Sequence, residues 1–321
     1  MKVLVTDMRH GSVEEERNVL EPAGVTVDTT FSEGEAELIR NGAGAVGFLV
    51  SYARITRKVM EALPELKIIV KYGIGVDNID VKAAGELGKL VANVPDYCIE
   101  EVALHSLALI LAGLRRLCPQ AAAGKNGAWT EDPTGLTLHR PSTLTVGTLG
   151  FGKIARRVAT YIRPIAKSIL FFDPYVPDPG PAHGHCEGLG SAADLFERCQ
   201  VVTVHAPLNR ETRNLVGSNL LDRAEGLVLI NTSRAGIVDR EPLESALEEG
   251  RVAFYGADVF WQEPADYTDP RTREFLQRSN VLVTPHMSWY SVESEREVRR
   301  KAAEEILRVL RGEAPRNPVS S

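Results

Sequence analysis

Residues 145–155 read Thr-Val-Gly-Thr-Leu-Gly-Phe-Gly-Lys-Ile-Ala, a short apolar run broken by three glycines. The apolar spacing that follows, over residues 153–165, is that of a helix with arginines on its polar side. A strand, a tight turn and a helix are therefore predicted. Gly150 permits the turn, Gly152 lets backbone approach a pyrophosphate, and Ala155 supplies the small residue where helix packs on strand. The amides at the helix start would face the phosphates.

A carboxylate follows this turn at the position that a dinucleotide site requires. The apolar run at residues 168–172 ends in Asp173, about 20 residues beyond the glycines. A carboxylate at this strand end holds the ribose hydroxyls of adenosine and repels a 2'-phosphate. The two features together predict a dinucleotide site that prefers NAD to NADP. The alternative is that Asp173 only begins the turn Asp-Pro-Tyr at residues 173–175.

The composition bounds the class of protein. The chain has 321 residues, enough for two domains of typical size, and its 44% hydrophobic and 25% charged residues are ordinary for a globular protein. A net charge of −6 argues against nucleic acid or an anionic membrane as a main partner. The first residues resemble a strand rather than a secretory signal, and the four cysteines lack the paired spacing of a zinc site. We therefore expect a cytoplasmic protein without a bound metal.

The first hundred residues alternate strand-like and helix-like segments. Strands are predicted at residues 2–6, 25–29, 45–50, 67–71 and 90–93, with helices such as 12–20 and 57–63 between them. This alternation predicts a parallel sheet covered by helices. Ligands of such sheets bind beyond the carboxyl ends of the strands, which draws attention to residues 50–52 and 71–78. The second of these ends is glycine-rich and could form an anion nest, although an ordinary turn would use glycines too.

The second half of the chain resumes the same alternation after a long apolar helix. Strands are predicted at residues 201–205, 227–232, 254–259 and 281–284, and helices at 100–117, 194–197, 242–249 and 292–310. His105 lies on the first of these helices and is expected to be a packed or interdomain histidine rather than a catalytic one. Residues 121–141 are expected to form a surface connection, and residues 178–190 a loose stretch. The last helix is expected to cover the sheet of the first domain.

Three chemically suited side chains follow predicted strands of the second half, namely Arg234, Glu263 and His286. The carboxyl ends of parallel strands share one edge of a sheet, so the three could converge. Arginine binds a carboxylate and a carbonyl oxygen with its planar fork, histidine exchanges a proton near neutral pH, and a carboxylate beside it fixes its tautomer. Reduction of a 2-oxo acid needs this set, because negative charge grows on the oxygen as hydride reaches carbon 2. Each residue alone also fits an ordinary surface or turn position.

The motifs around these three residues resemble, in order and spacing, those of the D-isomer-specific 2-hydroxyacid dehydrogenases. The motifs are Asn-Thr-Ser-Arg-Ala-Gly-Ile-Val-Asp at 231–239, Gly-Ala-Asp-Val-Phe-Trp-Gln-Glu-Pro at 256–264 and Thr-Pro-His at 284–286, together with residues 72–80, 93–103 and 205–208. The resemblance implies two Rossmann-like parallel-sheet domains, one flavodoxin-like and one dinucleotide-binding, with a cleft between them. Residues 1–99 with 290–321 would bind substrate, and residues 100–289 would bind NAD.

The resemblance also implies an activity and the residues that carry it. The protein would be an NAD-dependent oxidoreductase that interconverts a small 2-oxo acid and its D-2-hydroxy acid. Arg234 would bind the substrate, and His286, paired with Glu263, would donate and accept the proton. The predicted contacts of NAD(H) are Gly150, Phe151, Gly152, Lys153, Ile154, Asp173, His205, Ala206, Pro207, Thr212, Thr232, Ser233, Arg234, Asp258 and His286. The predicted contacts of the substrate are Tyr52, Tyr72, Gly73, Ile74, Gly75, Arg234 and Trp289.

Within the family, residues 94–103 and 286–291 are most similar to the branch that contains C-terminal-binding protein and its bacterial relatives, beside phosphoglycerate dehydrogenase. In that branch a Trp matching Trp289 lines the substrate pocket, which suggests an apolar or thioether 2-oxo acid. Lys71 and Gln200 depart from the residues common in the family and leave the substrate open. A homodimer joined through the NAD-binding domains is also implied. The alternatives are an NAD(H)-sensing, corepressor-like interaction protein and an enzyme specific for phosphoglycerate or hydroxypyruvate.

Overall fold

The computed structural model describes residues 1–7, 11–31, 34–129 and 138–320. The chain divides into two compact units, which we call unit one (Met1–Cys98 with Tyr290–Ser321) and unit two (Ile99–Trp289). The division falls within one residue of the boundaries expected from the sequence. The assignment of substrate binding to unit one stays a prediction.

Unit one begins with a regular alternation of strands and helices. Its elements are β1 (Lys2–Val5), α1 (Glu14–Leu20), β2 (Thr26–Thr29), α2 (Glu35–Gly42), β3 (Ala45–Val50), α3 (Arg57–Glu61), β4 (Ile68–Lys71), α4 (Val81–Glu86) and β5 (Leu90–Ala92). The five strands in the described part of this unit are all parallel, in the order β2-β1-β3-β4-β5. This is the flavodoxin-like order. Nearly all residues of β1, β3 and β4 are buried, as expected for a sheet covered on both faces.

The strand order of unit one reverses between β1 and β3, and a carboxylate of the chain itself lies at that point. Asp7, which is 4% exposed, follows β1 and accepts hydrogen bonds from three successive amides after β3. The amide nitrogens of Ser51 and Ala53 lie 2.9 and 3.1 Å from its carboxylate oxygens, and Tyr52 donates between them. The hydroxyl of Thr6 donates to the same carboxylate at 2.8 Å. The amides that face this crevice are therefore satisfied from within the chain.

Unit two contains a second parallel sheet. Its elements are α5 (Ile99–Leu114), α6 (Leu117–Lys125), β6 (Thr145–Leu149), α7 (Lys153–Ile162), β7 (Ser168–Phe172), β8 (Cys186–Gly188), α8 (Ala192–Arg198), β9 (Val201–Val204), α9 (Ser218–Leu221), β10 (Leu227–Asn231), α10 (Arg240–Glu248), β11 (Val252–Ala257), α11 (Pro270–Gln277) and β12 (Val281–Val283). The seven described strands run in the order β12-β11-β10-β9-β6-β7-β8. This order is that of dinucleotide-binding folds, with an added strand at one edge. Separate apolar cores lie under α5 and α7 and under α8 and α10. The predicted fold class, two Rossmann-like parallel-sheet domains, is confirmed.

The last helix, α12 (Val292–Leu310), belongs to unit one and packs on its sheet, where Ile306 contacts Gly47 of β3. A buried ion pair joins it to α1, because Arg299 donates to both oxygens of Glu16 at 2.9 and 2.8 Å. The hydroxyl of Tyr72 donates to the same carboxylate at 2.7 Å. Burial, with the charge of Glu16 adding to it, raises the pKa of Tyr72 well above its ordinary value. The predicted bounds of this helix, 292–310, agree with those observed.

Two stretches differ from the sequence-based expectation. Helix α6 occupies the start of the expected surface connection, because three successive alanines at residues 121–123 favour helix over the glycine that follows them. Residues 130–137 of that stretch lie outside the described residues. Strand β8 lies within the expected loose stretch and pairs with β7 at the edge of the sheet. Its sequence, Cys-Glu-Gly, follows a stretch rich in glycine and proline and lacks the apolar run that marks the other strands.

No single helix in the described part of the chain has both the length and the apolar character needed to cross a bilayer. Helices α5 and α6 meet these criteria only when taken together, across a bend of 67°.

Candidate active site

The glycine turn of unit two has the geometry that its sequence predicts. Gly150 adopts a φ of 91°, and a Cβ there would lie 2.9 Å from the backbone carbon and oxygen of His205. Only glycine fits this close approach between the ends of β6 and β9. The strand order reverses at this point, which is where such sheets bind nucleotides. A Cβ on Gly152 would meet nothing within 4 Å, so the start of α7 is open to a phosphate group.

Asp173 is tied to the glycine turn through the backbone. Its Oδ2 accepts the amide of Phe151 at 2.8 Å, and its Oδ1 accepts the amide of Tyr175 at 2.9 Å. Asp173 therefore begins the following turn and also holds the glycine turn in place. Carboxylate oxygens accept more than one hydrogen bond, so both retain capacity for ribose hydroxyls.

The side chain of Phe151 belongs to the core of unit two. It is fully buried and stacks on Phe171 with ring centroids 4.0 Å apart. The guanidinium of Arg156 covers its other side, 4.7 Å from the ring centroid. The side chain of this predicted cofactor contact is therefore not available to a ligand, and its amide and carbonyl are bonded to Asp173 and Arg156. Lys153 is exposed and Ile154 is half-buried at the start of α7.

The loop after β9 closes on itself through Thr212. The hydroxyl of Thr212 donates to the carbonyl of Pro207 at 2.5 Å and accepts from the amide of Asn209 at 2.9 Å. The imidazole of His205 lies 2.9 Å from the hydroxyl of Thr203. Burial lowers the pKa of His205 to about 3, so its side chain is neutral at physiological pH. Ala206 lies beside Gly150, and the loop presents backbone and small groups toward the glycine turn.

The loop that carries Arg234 is held by the buried side chain of Asn231, at the end of β10. The Oδ1 of Asn231 accepts the amide of Ser233, and its Nδ2 donates to the carbonyl of Arg234, both at 3.0 Å. The hydroxyl of Ser233 donates to the carbonyl of Val204 at 2.8 Å, which ties the loop to β9. The hydroxyl of Thr232 lies 2.9 Å from that of Ser106 on α5. Arg234 itself is half-buried, and its Nη1 donates to the carbonyl of Ser233 at 2.8 Å.

His286 and Glu263 form the pair that the sequence predicts. The Nδ1 of His286 lies 2.6 Å from Oε2 of Glu263, whose Oε1 accepts the amide of Phe260 at 2.9 Å. Burial raises the pKa of Glu263, but the hydrogen bond and charge of His286, the Phe260 amide and the charge of Arg234 outweigh it and lower the pKa overall. Glu263 is therefore an anion at neutral pH. Because Nδ1 is engaged, Nε2 is the nitrogen left for a substrate.

Asp258 anchors the loop on which His286 lies. Its carboxylate is fully buried at the end of β11 and accepts the hydroxyl of Thr284 at 2.5 Å. It also accepts the amides of Met287 and Ser288 at 2.9 and 2.7 Å. These partners precede and follow His286, whose φ of 56° lies in the left-handed region. The described bonds of Asp258 are thus structural, and its predicted contact with nicotinamide stays a prediction.

Trp289 ends the same loop. Its indole Nε1 donates to the carbonyl of His286 at 3.0 Å. The indole ring is therefore fixed relative to the backbone that carries the histidine.

The predicted substrate contacts of unit one divide into two groups. Gly73 has a φ of 144°, and in the described residues the amides of Ile74 and Gly75 have no hydrogen-bond partner, as an anion-binding loop requires. Tyr52 presents a ring that is 51% exposed, with the ammonium of Lys71 5.5 Å from its centroid. The side chain of Tyr72 is instead buried in the network with Glu16 and Arg299, so its prediction as a substrate contact rests on its backbone alone.

Sequence reasoning did not identify the side chains that position these loops, above all Asn231, Ser106 and Thr284. Asn231 carried a signal, because an asparagine at a strand end commonly bonds the backbone two residues further on. Ser106 and Thr284 carried none, since their partners lie 126 and 26 residues away in the sequence. In the part of the chain that the structure describes, no group of three or more His, Cys, Asp or Glu side chains is placed to hold a metal ion.

Comparison with known proteins shows the family to which the chain is similar. Residues 107–288 match the family model described as D-isomer specific 2-hydroxyacid dehydrogenase, NAD binding domain. A D-3-phosphoglycerate dehydrogenase of Methanocaldococcus jannaschii is 33% identical over the whole chain, which spans only 59% of that relative's length. A solved structure from Thermus thermophilus superposes with a TM-score of 0.86 at 32% identity, covering 99% of this chain and 100% of that one. A D-lactate dehydrogenase of Aquifex aeolicus, solved with NAD and lactic acid, gives 0.86 at 25% identity, with 97% and 96% covered.

Proposed function

Because the chain belongs to the D-isomer specific 2-hydroxyacid dehydrogenase family, we propose that it is an NAD-dependent oxidoreductase that interconverts a small 2-oxo acid and its D-2-hydroxy acid. The observation that carries the proposal is the pair of His286 and Glu263, 2.6 Å apart at neighbouring strand ends, with the charge of Arg234 acting on the same carboxylate. A neutral residue in place of any of the three would remove the acid, its orienting partner or the carbonyl-polarising charge.

The residues around the glycine turn fit a bound dinucleotide. The pyrophosphate would lie beside Gly152 at the start of α7, where a Cβ would meet no atom within 4 Å. Asp173 would bind the adenosine ribose, and the loop from His205 to Thr212 would line the opposite wall. The hydride would come from NADH when it is bound. Thr232, Ser233 and Asp258 complete the proposed set near the nicotinamide.

The chain's own residues would then perform the acid–base steps. Arg234 would bind the carboxylate and the 2-oxo oxygen of the substrate with its planar guanidinium. As hydride adds to carbon 2, the C=O π electrons move to oxygen, which takes a proton from Nε2 of His286. Glu263, bonded to Nδ1, would hold the imidazole in the orientation that the transfer requires. The reverse steps oxidise the hydroxy acid.

The amides of Ile74 and Gly75, which have no hydrogen-bond partner in the part of the chain that the structure describes, are also proposed to bind a carboxylate of the substrate. Trp289, fixed by its bond to the His286 carbonyl, is proposed to select the side chain of the substrate. An indole favours an apolar or thioether group over a phosphate.

A second candidate, a dehydrogenase of 3-phosphoglycerate, is favoured by the relative from Methanocaldococcus jannaschii. Phosphohydroxypyruvate therefore belongs among the compounds tested. The NAD(H)-sensing alternative is less favoured, because the matched relatives are dehydrogenases and the acid–base pair is complete.

We also propose a homodimer joined through unit two in the cytoplasm. Exposed apolar side chains on consecutive helices support it, with Leu104 of α5 56% and Leu117 of α6 51% exposed. The molecular mass in solution, measured by light scattering, tests the dimer, and a monomer at micromolar concentration would contradict it.

The activity is tested by NADH oxidation with a panel that runs from glyoxylate, hydroxypyruvate and phosphohydroxypyruvate to 4-methylthio-2-oxobutyrate and phenylpyruvate. We expect turnover of at least one member, and replacement of His286 by Asn should lower it by roughly 10²–10⁴-fold because the general acid is lost. NADH affinity, followed by fluorescence, should change little. The matched control is His139→Asn, which alters an exposed histidine. Equal turnover of His286→Asn and the wild type would remove His286 from the mechanism.

A further inference from the structure

Helix α5 carries two adjacent polar side chains that reach the loops of the candidate active site. Ser106 lies 2.9 Å from Thr232, on the loop of Arg234. The Nε2 of His105 lies 2.9 Å from the hydroxyl of Thr284, on the loop of His286. The imidazole of His105 is 26% exposed, so it is not simply a packed core residue. One turn of helix therefore contacts both loops.

The hydrogen bonds around Thr284 fix which group donates. Its hydroxyl has one proton, and the carboxylate of Asp258, 2.5 Å away, is a pure acceptor that takes it. Nε2 of His105 must therefore donate to the oxygen of Thr284. The chain of donors runs from His105 through Thr284 to Asp258, and each bond polarises the next.

The carboxylate of Asp258 forms hydrogen bonds on both sides of the proposed catalytic residue, His286. Asp258 binds Thr284 on one side of His286 and the amides of Met287 and Ser288 on the other. The φ of 56° at His286 is uncommon for a residue with a side chain and persists only where its neighbours hold it. The orientation of the imidazole thus depends on how firmly Asp258 and Thr284 are bound.

We propose that His105 is a positioning residue, which acts through Thr284 and Asp258 to hold the His286 loop in the geometry needed for proton transfer. The proposal rests on the function proposed above. It gives a specific role to a residue that the sequence predicts to be a packed or interdomain histidine.

The first test uses matched variants of His105. Phenylalanine keeps the ring but has no donor, glutamine places an amide N–H near the position of Nε2, and asparagine places one near Nδ1. We expect His105→Phe and His105→Asn to slow hydride transfer in a single turnover by about tenfold, the value of one ordinary hydrogen bond, and His105→Gln to restore it. The dissociation constant of NADH should stay within about twofold of wild type, because one bond in the loop and none at the cofactor is lost. Equal rates in all four proteins would overturn the proposal.

A double-mutant cycle tests the route of the effect. Thr284→Val removes the hydroxyl that links His105 to Asp258. In that background His105→Phe should change the rate no further, because both variants break the same chain. Additive effects of the two substitutions would mean that His105 acts by packing, and would overturn the proposal.

A measurement without substrate separates this proposal from the proposed function. Amide hydrogen exchange at Met287 and Ser288, which donate to Asp258, should be faster in His105→Phe and Thr284→Val than in the wild type and in His105→Gln. If exchange is faster in these variants but the wild type reduces no 2-oxo acid, the hydrogen bonds from His105 to Asp258 position the loop, and the proposed enzymatic function is wrong. Unchanged exchange in both variants would contradict the positioning role of His105, whatever the activity of the wild type.

Discussion

The carboxylate of Asp173 combines two tasks that different substitutions separate. It holds the amides of Phe151 and Tyr175, and it is placed to repel a 2'-phosphate. Asp173→Asn removes the charge and keeps one of the two acceptor oxygens, so we expect NADP use to rise relative to NAD, with a smaller loss of NAD affinity than in Asp173→Ala. Asp173→Ala should weaken both cofactors, because the glycine turn loses its support. The ratio of kcat/KM for NADH and NADPH measures the effect.

Asp178 supplies the control for this experiment. It is an exposed carboxylate in the segment after Asp173, and its replacement by Asn changes the net charge equally. An equal change of cofactor ratio in Asp178→Asn would reduce Asp173 to a turn residue.

His205 predicts a pH dependence of stability with a defined sign. Burial lowers its pKa from 6.5 to about 3, so between these values the unfolded chain binds a proton that the folded chain does not. The free energy of unfolding should therefore fall as the pH falls below 6.5, with a contribution approaching about 1 kcal/mol per pH unit. Denaturant titrations between pH 7 and pH 5 measure the slope.

The matched variant for this test is His205→Gln, which keeps a polar group without a titrating ring. The slope of the wild type should exceed that of the variant. Parallel slopes would show that His205 titrates in the folded protein near its ordinary pKa.

At the scale of single residues, the sequence identified which side chains follow strands but not which way each side chain points. Arg234, Glu263 and His286 could be named because each follows a strand of one parallel sheet and those ends share an edge. Tyr72 also follows a strand, but its side chain is buried because its hydroxyl donates a hydrogen bond to the buried carboxylate of Glu16. Glu16 lies 56 positions away in the sequence, so no local sequence pattern predicts this hydrogen bond.

Among the elements, most strands were predicted to within about two residues, including the short β5 and β12, whereas β8 was missed. The bounds of β3, β7 and α12 agree with prediction, since each has a clear apolar pattern over at least five residues. Strand β8 has three residues and forms because it pairs with β7. That pairing depends on the rest of the sheet and cannot be recognised from the three residues themselves. Helix α5 ends earlier than predicted, where Arg116 adopts a φ of 48° before α6 begins.

The contact between α1 and α12 predicts a large effect of one substitution. Arg299 and Glu16 are 6% and 1% exposed, so removal of one partner leaves the other charge buried without compensation. We expect Arg299→Ala to lower the free energy of unfolding by about 3–5 kcal/mol. Urea denaturation followed by circular dichroism measures this.

Arg296, on the same helix, is the control. Its side chain is 69% exposed and lies 4.0 Å from Glu15, so Arg296→Ala should cost less than about 1 kcal/mol. Equal losses in the two variants would mean that the buried pair contributes no more to stability than an exposed arginine of α12 does.

The two units share a parallel architecture but differ at the point where each strand order reverses. In unit two the ends of β6 and β9 meet at Gly150, and the start of α7 lies open. We therefore expect one NADH for each chain, measured by calorimetry. A stoichiometry of two would contradict the assignment of the nucleotide to unit two.

The corresponding crevice of unit one holds Asp7, whose carboxylate takes three successive amides. We therefore expect this crevice not to bind a nucleotide phosphate, because Asp7 already accepts its amides. The amides of Ile74 and Gly75, which have no hydrogen-bond partner among the described residues, are proposed to bind a smaller anion of the size of a carboxylate. We therefore expect two units of similar fold in one chain to differ in the anion that they bind because of the position of one aspartate, Asp7.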